Sequence, residues 1–116
     1  MTVAAILFAI AALGGLVMAA MRFRGRELPP MGLAIVHGLF AASGLVMLII
    51  AVLGENASTA SYVALAGFVI AALGGFSLFS YHLRRKALPI NYVVIHAVGA
   101  VVSFAILLYA IFTLRS

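Results

Sequence analysis

Two of the chain's three histidines, His37 and His96, sit inside long apolar runs. An imidazole in such surroundings is costly unless it is hydrogen-bonded or ligates a metal, and neutral imidazole is a common metal ligand. Each histidine belongs to the same short series of features. Ala11 to Gly15 reads AALGG, followed by the basic turn Arg22 to Pro30 and then His37. Ala71 to Gly75 reads AALGG again, followed by His82 to Pro89 and then His96. Paired imidazoles, paired glycines and paired clusters of arginine could together hold a flat, metal-centred, acidic cofactor. His37 and His96 would be the metal ligands. Gly14, Gly15, Gly74 and Gly75 would clear space, and Arg22, Arg24, Arg84 and Arg85 would meet the acid groups.

The elements that must position these residues are set by composition. The chain has 116 residues, 67% of them hydrophobic and 8% charged. Its mean hydropathy is +1.34. A soluble domain of this size could not cover so much apolar surface. Four apolar stretches, at 3–21, 31–53, 60–81 and 90–113, each approach the roughly 20 residues that cross a hydrocarbon core. Nothing alternates as a membrane barrel strand would. The fold class is therefore an all-α integral membrane protein. Cysteine is absent, so disulfides and thiolate metal sites are excluded. The net charge of +5 is confined to short turns beside spanning helices, which argues against a nucleic-acid partner. Residues 1–20 lack a basic stretch ahead of the apolar run, so they read as a retained helix and not as a cleaved signal.

Helix 1 is expected over about Val3 to Met21 and helix 2 over about Met31 to Leu53. Helix 3 is expected over about Ala60 to Leu83 and helix 4 over about Ile90 to Thr113. Pro30 and Pro89 suit the first turns of helices 2 and 4, where a missing N–H costs little. Ser58 or Thr59 can cap helix 3. Six of the seven Arg and Lys lie in the two basic turns, and Arg115 alone lies at the other side. The positive-inside rule then places turns 22–30 and 82–89 in the cytoplasm and both termini opposite, in an expected bacterial inner membrane. Asn56-Ala57-Ser58 matches a glycosylation sequon but sits too close to the membrane to carry weight.

Residues 1–29 align on 61–89 without a gap. The identities include Val3/Val63, Ala4/Ala64, Phe8/Phe68, the whole AALGG, Arg24/Arg84 and Leu28-Pro29/Leu88-Pro89. One dropped residue near Pro30 then aligns His37 with His96 and Ala41 with Ala100. The chain thus reads as one domain, 1–116, made of two hairpin repeats, 1–56 and 61–116. The expected architecture is an antiparallel four-helix transmembrane bundle built from a duplicated helical hairpin.

In such a bundle His37 and His96 each lie roughly 10 Å along their helices from Pro30 and Pro89, level with the glycine pairs. Helices 2 and 4 are diagonal, on the order of 13 Å apart if neighbours pack normally. That gap suits two inward imidazoles with one ion between them, and haem b with two histidine ligands fits it. Its propionates would face the basic side, near Arg22, Arg24, Arg84 and Arg85. Plainer readings exist for each part. Small residues at four-residue spacing let helices approach, the arginines follow from topology alone, and a histidine can bond a carbonyl, Ser43 or Ser103. His82, aligned with Arg22, reads as an interfacial residue and not a ligand. Tyr62, Tyr81, Tyr92 and Tyr109 read as ordinary interfacial tyrosines.

With His37 and His96 paired in a four-helix membrane bundle, the chain resembles the small membrane b-type cytochromes. These include the cytochrome b561-like group and the haem anchor subunits of respiratory dehydrogenases. The resemblance is architectural and covers the bundle and the two ligands. Many of those proteins carry two haems, one near each face, and this chain has histidines for one. The resemblance implies electron transfer with quinone or with a redox partner subunit.

The function expected is therefore that of a single-haem b-type cytochrome, or of the haem-bearing membrane subunit of a redox complex. The role expected is electron transfer more than stand-alone enzyme chemistry, in a homo- or hetero-oligomer. Two alternatives remain. One is a cofactor-free accessory subunit of a larger membrane complex. The other is a pigment-binding protein in which each histidine ligates a separate chlorophyll-type molecule; its histidines could face lipid, whereas haem needs both to face the bundle axis. A proton-coupled exporter is disfavoured, since neither Glu27 nor Glu55 lies in a spanning helix and Asp is absent.

Overall fold

A computed structural model of the chain describes residues 1–54 and 57–114. Glu55, Asn56, Arg115 and Ser116 fall outside the described residues, and with them the expected sequon and the arginine of the terminal end. Every regular element described is helical: α1 (Thr2–Phe23), α2 (Met31–Gly54), α3 (Thr59–Leu83) and α4 (Ile90–Leu114). All four are long and apolar enough to cross a membrane. The helix limits follow the expected chemistry. Pro30 and Pro89 precede α2 and α4, and each accepts a first-turn bond, from Ala34 N–H and Val93 N–H. Ser58 caps α3, its hydroxyl accepting from the Ser61 N–H at 3.2 Å.

Helices α1 and α3 end alike. Past α1, Gly25 N–H donates to Arg22 O and Arg26 N–H to Met21 O, both at 3.1 Å. Past α3, Arg85 N–H donates to His82 O at 3.1 Å and Lys86 N–H to Tyr81 O at 2.9 Å. This paired closure requires a left-handed residue just beyond the helix. Gly25 supplies it at φ 98°, and Arg85 adopts it at φ 54° despite its side chain.

The helices form a ring, each packed on its chain neighbours, with α1 also closing on α4. Contacts are densest within the pairs α1–α2 and α3–α4, and the rod measures 45 × 19 × 19 Å. Diagonals are therefore α1 with α3 and α2 with α4. At the end that carries the termini, Phe8 and Phe68 stack face to face at 3.8 Å between centroids. Leu48 and Leu107, which are equivalent in the two halves of the sequence, are both fully buried beside them. At the opposite, basic end a smaller cluster of Leu78, Leu88 and Val93 closes the bundle. There the two turns are tied together. Leu88 N–H donates to Glu27 O at 3.1 Å, and Arg22 Nε donates to Leu88 O at 2.8 Å.

Candidate functional site

Between the two apolar clusters lies a level where the inward residues are small. Ala11, Ala34 and Ala71 are buried there, next to Gly14, Gly15, Gly74 and Gly75. His37 of α2 and His96 of α4 fill it from opposite sides. Their ring centroids are 6.3 Å apart and their planes cross at 82°. Each ring is held by the first helix of its own hairpin. His37 Nδ1 lies 2.7 Å from Ala11 O, and His96 Nδ1 lies 2.8 Å from Ala71 O. A carbonyl only accepts, so Nδ1 carries the proton in both rings and Nε2 is left as the lone-pair nitrogen. This is the arrangement that orients metal-bound histidines: one nitrogen to the metal and the other to a carbonyl or carboxylate.

The glycines divide into two kinds. A Cβ on Gly15 would stand 3.0 Å from His37 Cε1, and one on Gly75 would stand 3.2 Å from His96 Cε1. These two positions are cradles that a side chain would fill. Gly14 and Gly74 face the histidine Cβ atoms at 3.7 Å, an ordinary contact that lets the helix pairs approach. What the structure places in the space left by Gly15 and Gly75 is therefore the imidazole edge of the same hairpin.

Two neutral imidazoles whose ring centroids lie 6.3 Å apart are donors that a metal macrocycle could use. The plainer reading of the histidines is also half met, because a backbone carbonyl satisfies one nitrogen of each. The serines are not their partners: Ser103 Oγ donates to Gly99 O at 2.7 Å. Three or more His, Cys, Asp or Glu do not converge anywhere among the described residues, so a metal held by side chains alone has no site there. Two histidines alone could hold a metal only where a cofactor brought further ligands of its own.

The four arginines are not equivalent. Arg22 is partly buried and reaches across to the other turn. Arg24 and Arg85 are exposed. Arg84 is exposed too, held by Ser80 through Nε to its carbonyl at 3.3 Å and Nη2 to its hydroxyl at 3.2 Å. Its guanidinium lies 4.6 Å above the Tyr81 ring. His82, in the last turn of α3, is buried at 7% exposure. The reason is the inward stripe of α3, which continues from Ala71 through Leu78 to His82 at helical spacing. An open groove along Val3 and Leu7 of α1 and Leu39 to Met47 of α2 is lined by apolar side chains and Ser43. It lies on the flank of one hairpin, away from the space between the imidazoles. No family model matches the chain, and neither a curated protein nor a solved structure matches it.

Proposed function

We propose that this chain is a membrane-spanning b-type cytochrome, or the haem-bearing membrane subunit of a redox complex, with one haem b between His37 and His96. The observation that carries the reading is the pair of facing imidazoles, 6.3 Å apart, each with Nδ1 tied to a backbone carbonyl. The haem would supply a one-electron couple; the chain's residues do the rest. His37 and His96 would hold the iron through Nε2. The carbonyls of Ala11 and Ala71 hold both rings in one tautomer and orientation. Gly15 and Gly75 leave room for the ring edges, and Gly14 and Gly74 for close helix approach. The Phe8–Phe68 stack and its cluster fill the terminal half and keep water from reaching the site from that end.

The same reading includes a duplicated hairpin. Equivalent residues take equivalent places: Phe8 on Phe68, Leu48 with Leu107, His37 with His96. It also places the bundle in a lipid bilayer, expected to be a bacterial inner membrane, with the basic turns on the cytoplasmic side. A single haem nearer one face cannot relay electrons across the bilayer. Quinone or a partner subunit would complete the route, within a homo- or hetero-oligomer. Separate chlorophyll-type pigments suit the geometry less well, since the two rings lie 6.3 Å apart between centroids, too close for a pigment on each.

The competing reading is a cofactor-free packing subunit, favoured by the same carbonyl bonds, which satisfy a histidine that binds nothing. Visible absorbance decides between the two. The detergent-purified protein from a haem-replete host is expected to show a Soret band and sharp reduced bands of a six-coordinate b haem. His37→Ala and His96→Ala should each abolish that spectrum. A colourless wild-type protein would overturn the cytochrome reading.

A further inference from the structure

We infer that the two hairpins form a clamp, hinged at the end that carries the termini and opening at the basic end, which gives a flat ligand its way in to His37 and His96. The hairpins are joined unequally along the rod. At the terminal end they share a large core. Phe8 and Leu48 of one hairpin pack with Phe68 and Leu107 of the other, the phenyl rings stacked at 3.8 Å between centroids. Ser61 Oγ of α3 also donates to Met1 Sδ at 3.4 Å. At the basic end the buried cluster of Leu78, Leu88 and Val93 belongs wholly to the second hairpin, and the first adds the partly buried Ala19 and Leu28 to it. Adhesion between apolar surfaces scales with the area they bury, so the hairpins hold at one end and are loose at the other.

The level between the two ends can part without breaking a polar contact. His37 bonds Ala11 O and His96 bonds Ala71 O, so each imidazole is held within its own hairpin. The glycine that clears room for each ring, Gly15 or Gly75, also belongs to that ring's hairpin. Among the described residues, no hydrogen bond joins the hairpins at this level. The two that join them at the basic end meet at one residue. Leu88 N–H donates to Glu27 O at 3.1 Å, and Leu88 O accepts from Arg22 Nε at 2.8 Å. Leu88 is thus the latch, and Arg22 is the side chain that closes on it. Opening here costs these two bonds and little apolar area. Opening at the other end would expose two stacked phenyl rings and two leucines. In the haem reading, the open clamp is the route by which the porphyrin reaches the imidazoles. That role rests on the haem reading, and the motion does not.

Spin labels test the motion with no cofactor present. The chain has no cysteine, and exposed, equivalent positions on α1 and α3 can carry the labels. One full chain takes Phe23→Cys with Leu83→Cys at the basic end, and another takes Val3→Cys with Val63→Cys at the terminal end. In lipid nanodiscs, dipolar distances for the basic pair are expected to show two populations, closed and open, and those for the terminal pair one. Arg22→Met should raise the ratio of open to closed about tenfold at the basic pair, the effect of one lost charge-assisted hydrogen bond, and leave the terminal pair unchanged. A single narrow distance at the basic pair, equal spread at both ends, or no response to Arg22→Met would overturn the clamp. If Arg22→Met does not fold, the comparison of the two ends in the otherwise unchanged chain decides. Stopped-flow uptake of haem b then tests the loading role. Arg22→Met is expected to take it up about tenfold faster, and equal rates would overturn loading through the clamp. A wild-type protein that takes up no haem b would overturn the cytochrome reading itself, an outcome separate from the distances.

Discussion

At the residue scale, the site depends on one missing atom at each of two positions. Gly15 and Gly14 are neighbours with the same side chain and different duties. A Cβ at Gly15 meets the His37 ring at 3.0 Å, whereas one at Gly14 meets the His37 Cβ at 3.7 Å. The Ala11 carbonyl pins that ring, so it cannot yield without losing its hydrogen bond. Gly15→Val is therefore expected to destabilise the bundle by about 1–3 kcal/mol, the usual range for overpacking. Gly14→Ala should be near neutral. Reversible unfolding in mixed detergent micelles measures both, and it needs no cofactor. Equal effects at the two positions would contradict the division of roles. The sequence shows His37, His96, Gly15 and Gly75 clearly, because each occurs twice in register. It does not show His82, whose counterpart is Arg22 and whose setting reads as one more basic turn. The one available signal was its helical spacing from Ala71 and Leu78.

At the element scale, helix ends are the best-determined features. Pro30, Pro89 and Ser58 mark three starts through backbone chemistry that operates without tertiary help. The ends of α1 and α3 show the same closure built from unequal residues. Gly25 takes the left-handed conformation without a Cβ, and Arg85 takes it with one. A side chain in that region costs roughly 1–2 kcal/mol, so Arg85→Gly should stabilise the protein by up to about 1 kcal/mol. Gly25→Ala should destabilise it by a similar amount. Detergent unfolding of the two variants measures both signs. A loss of stability in Arg85→Gly would mean that its side chain makes a contact worth more than the strain.

At the scale of the whole molecule, the core is divided by depth. Large side chains fill the terminal half, and a small cluster closes the basic end. The level between them holds alanines, glycines and the two imidazoles. This division places the proposed site nearer the basic turns than the termini. Those turns are the proposed cytoplasmic face. The native chain has no cysteine, so single cysteines report sidedness without background. In intact cells, Glu27→Cys is expected to resist a membrane-impermeant maleimide that labels Ala57→Cys. Opening the membrane should make both reactive. Labelling of Glu27→Cys in sealed cells would invert the orientation.

The sequence by itself determined the class, the four helices and the alignment of the two halves. Composition and local backbone chemistry act on short stretches, and the repeat is read by comparison alone. The tertiary structure decided which atoms meet. It set the two imidazoles 6.3 Å apart, edge-on, with Nδ1 on Ala11 and Ala71 carbonyls, and it placed rings of the same hairpin in the glycine notches. It also separated Arg22 from the exposed Arg24, Arg84 and Arg85 and placed His82 inside. These are matters of helix rotation and distance across the bundle. A nearly uniform apolar surface leaves helix rotation undetermined, because every face of each helix is hydrophobic enough to be either buried or exposed.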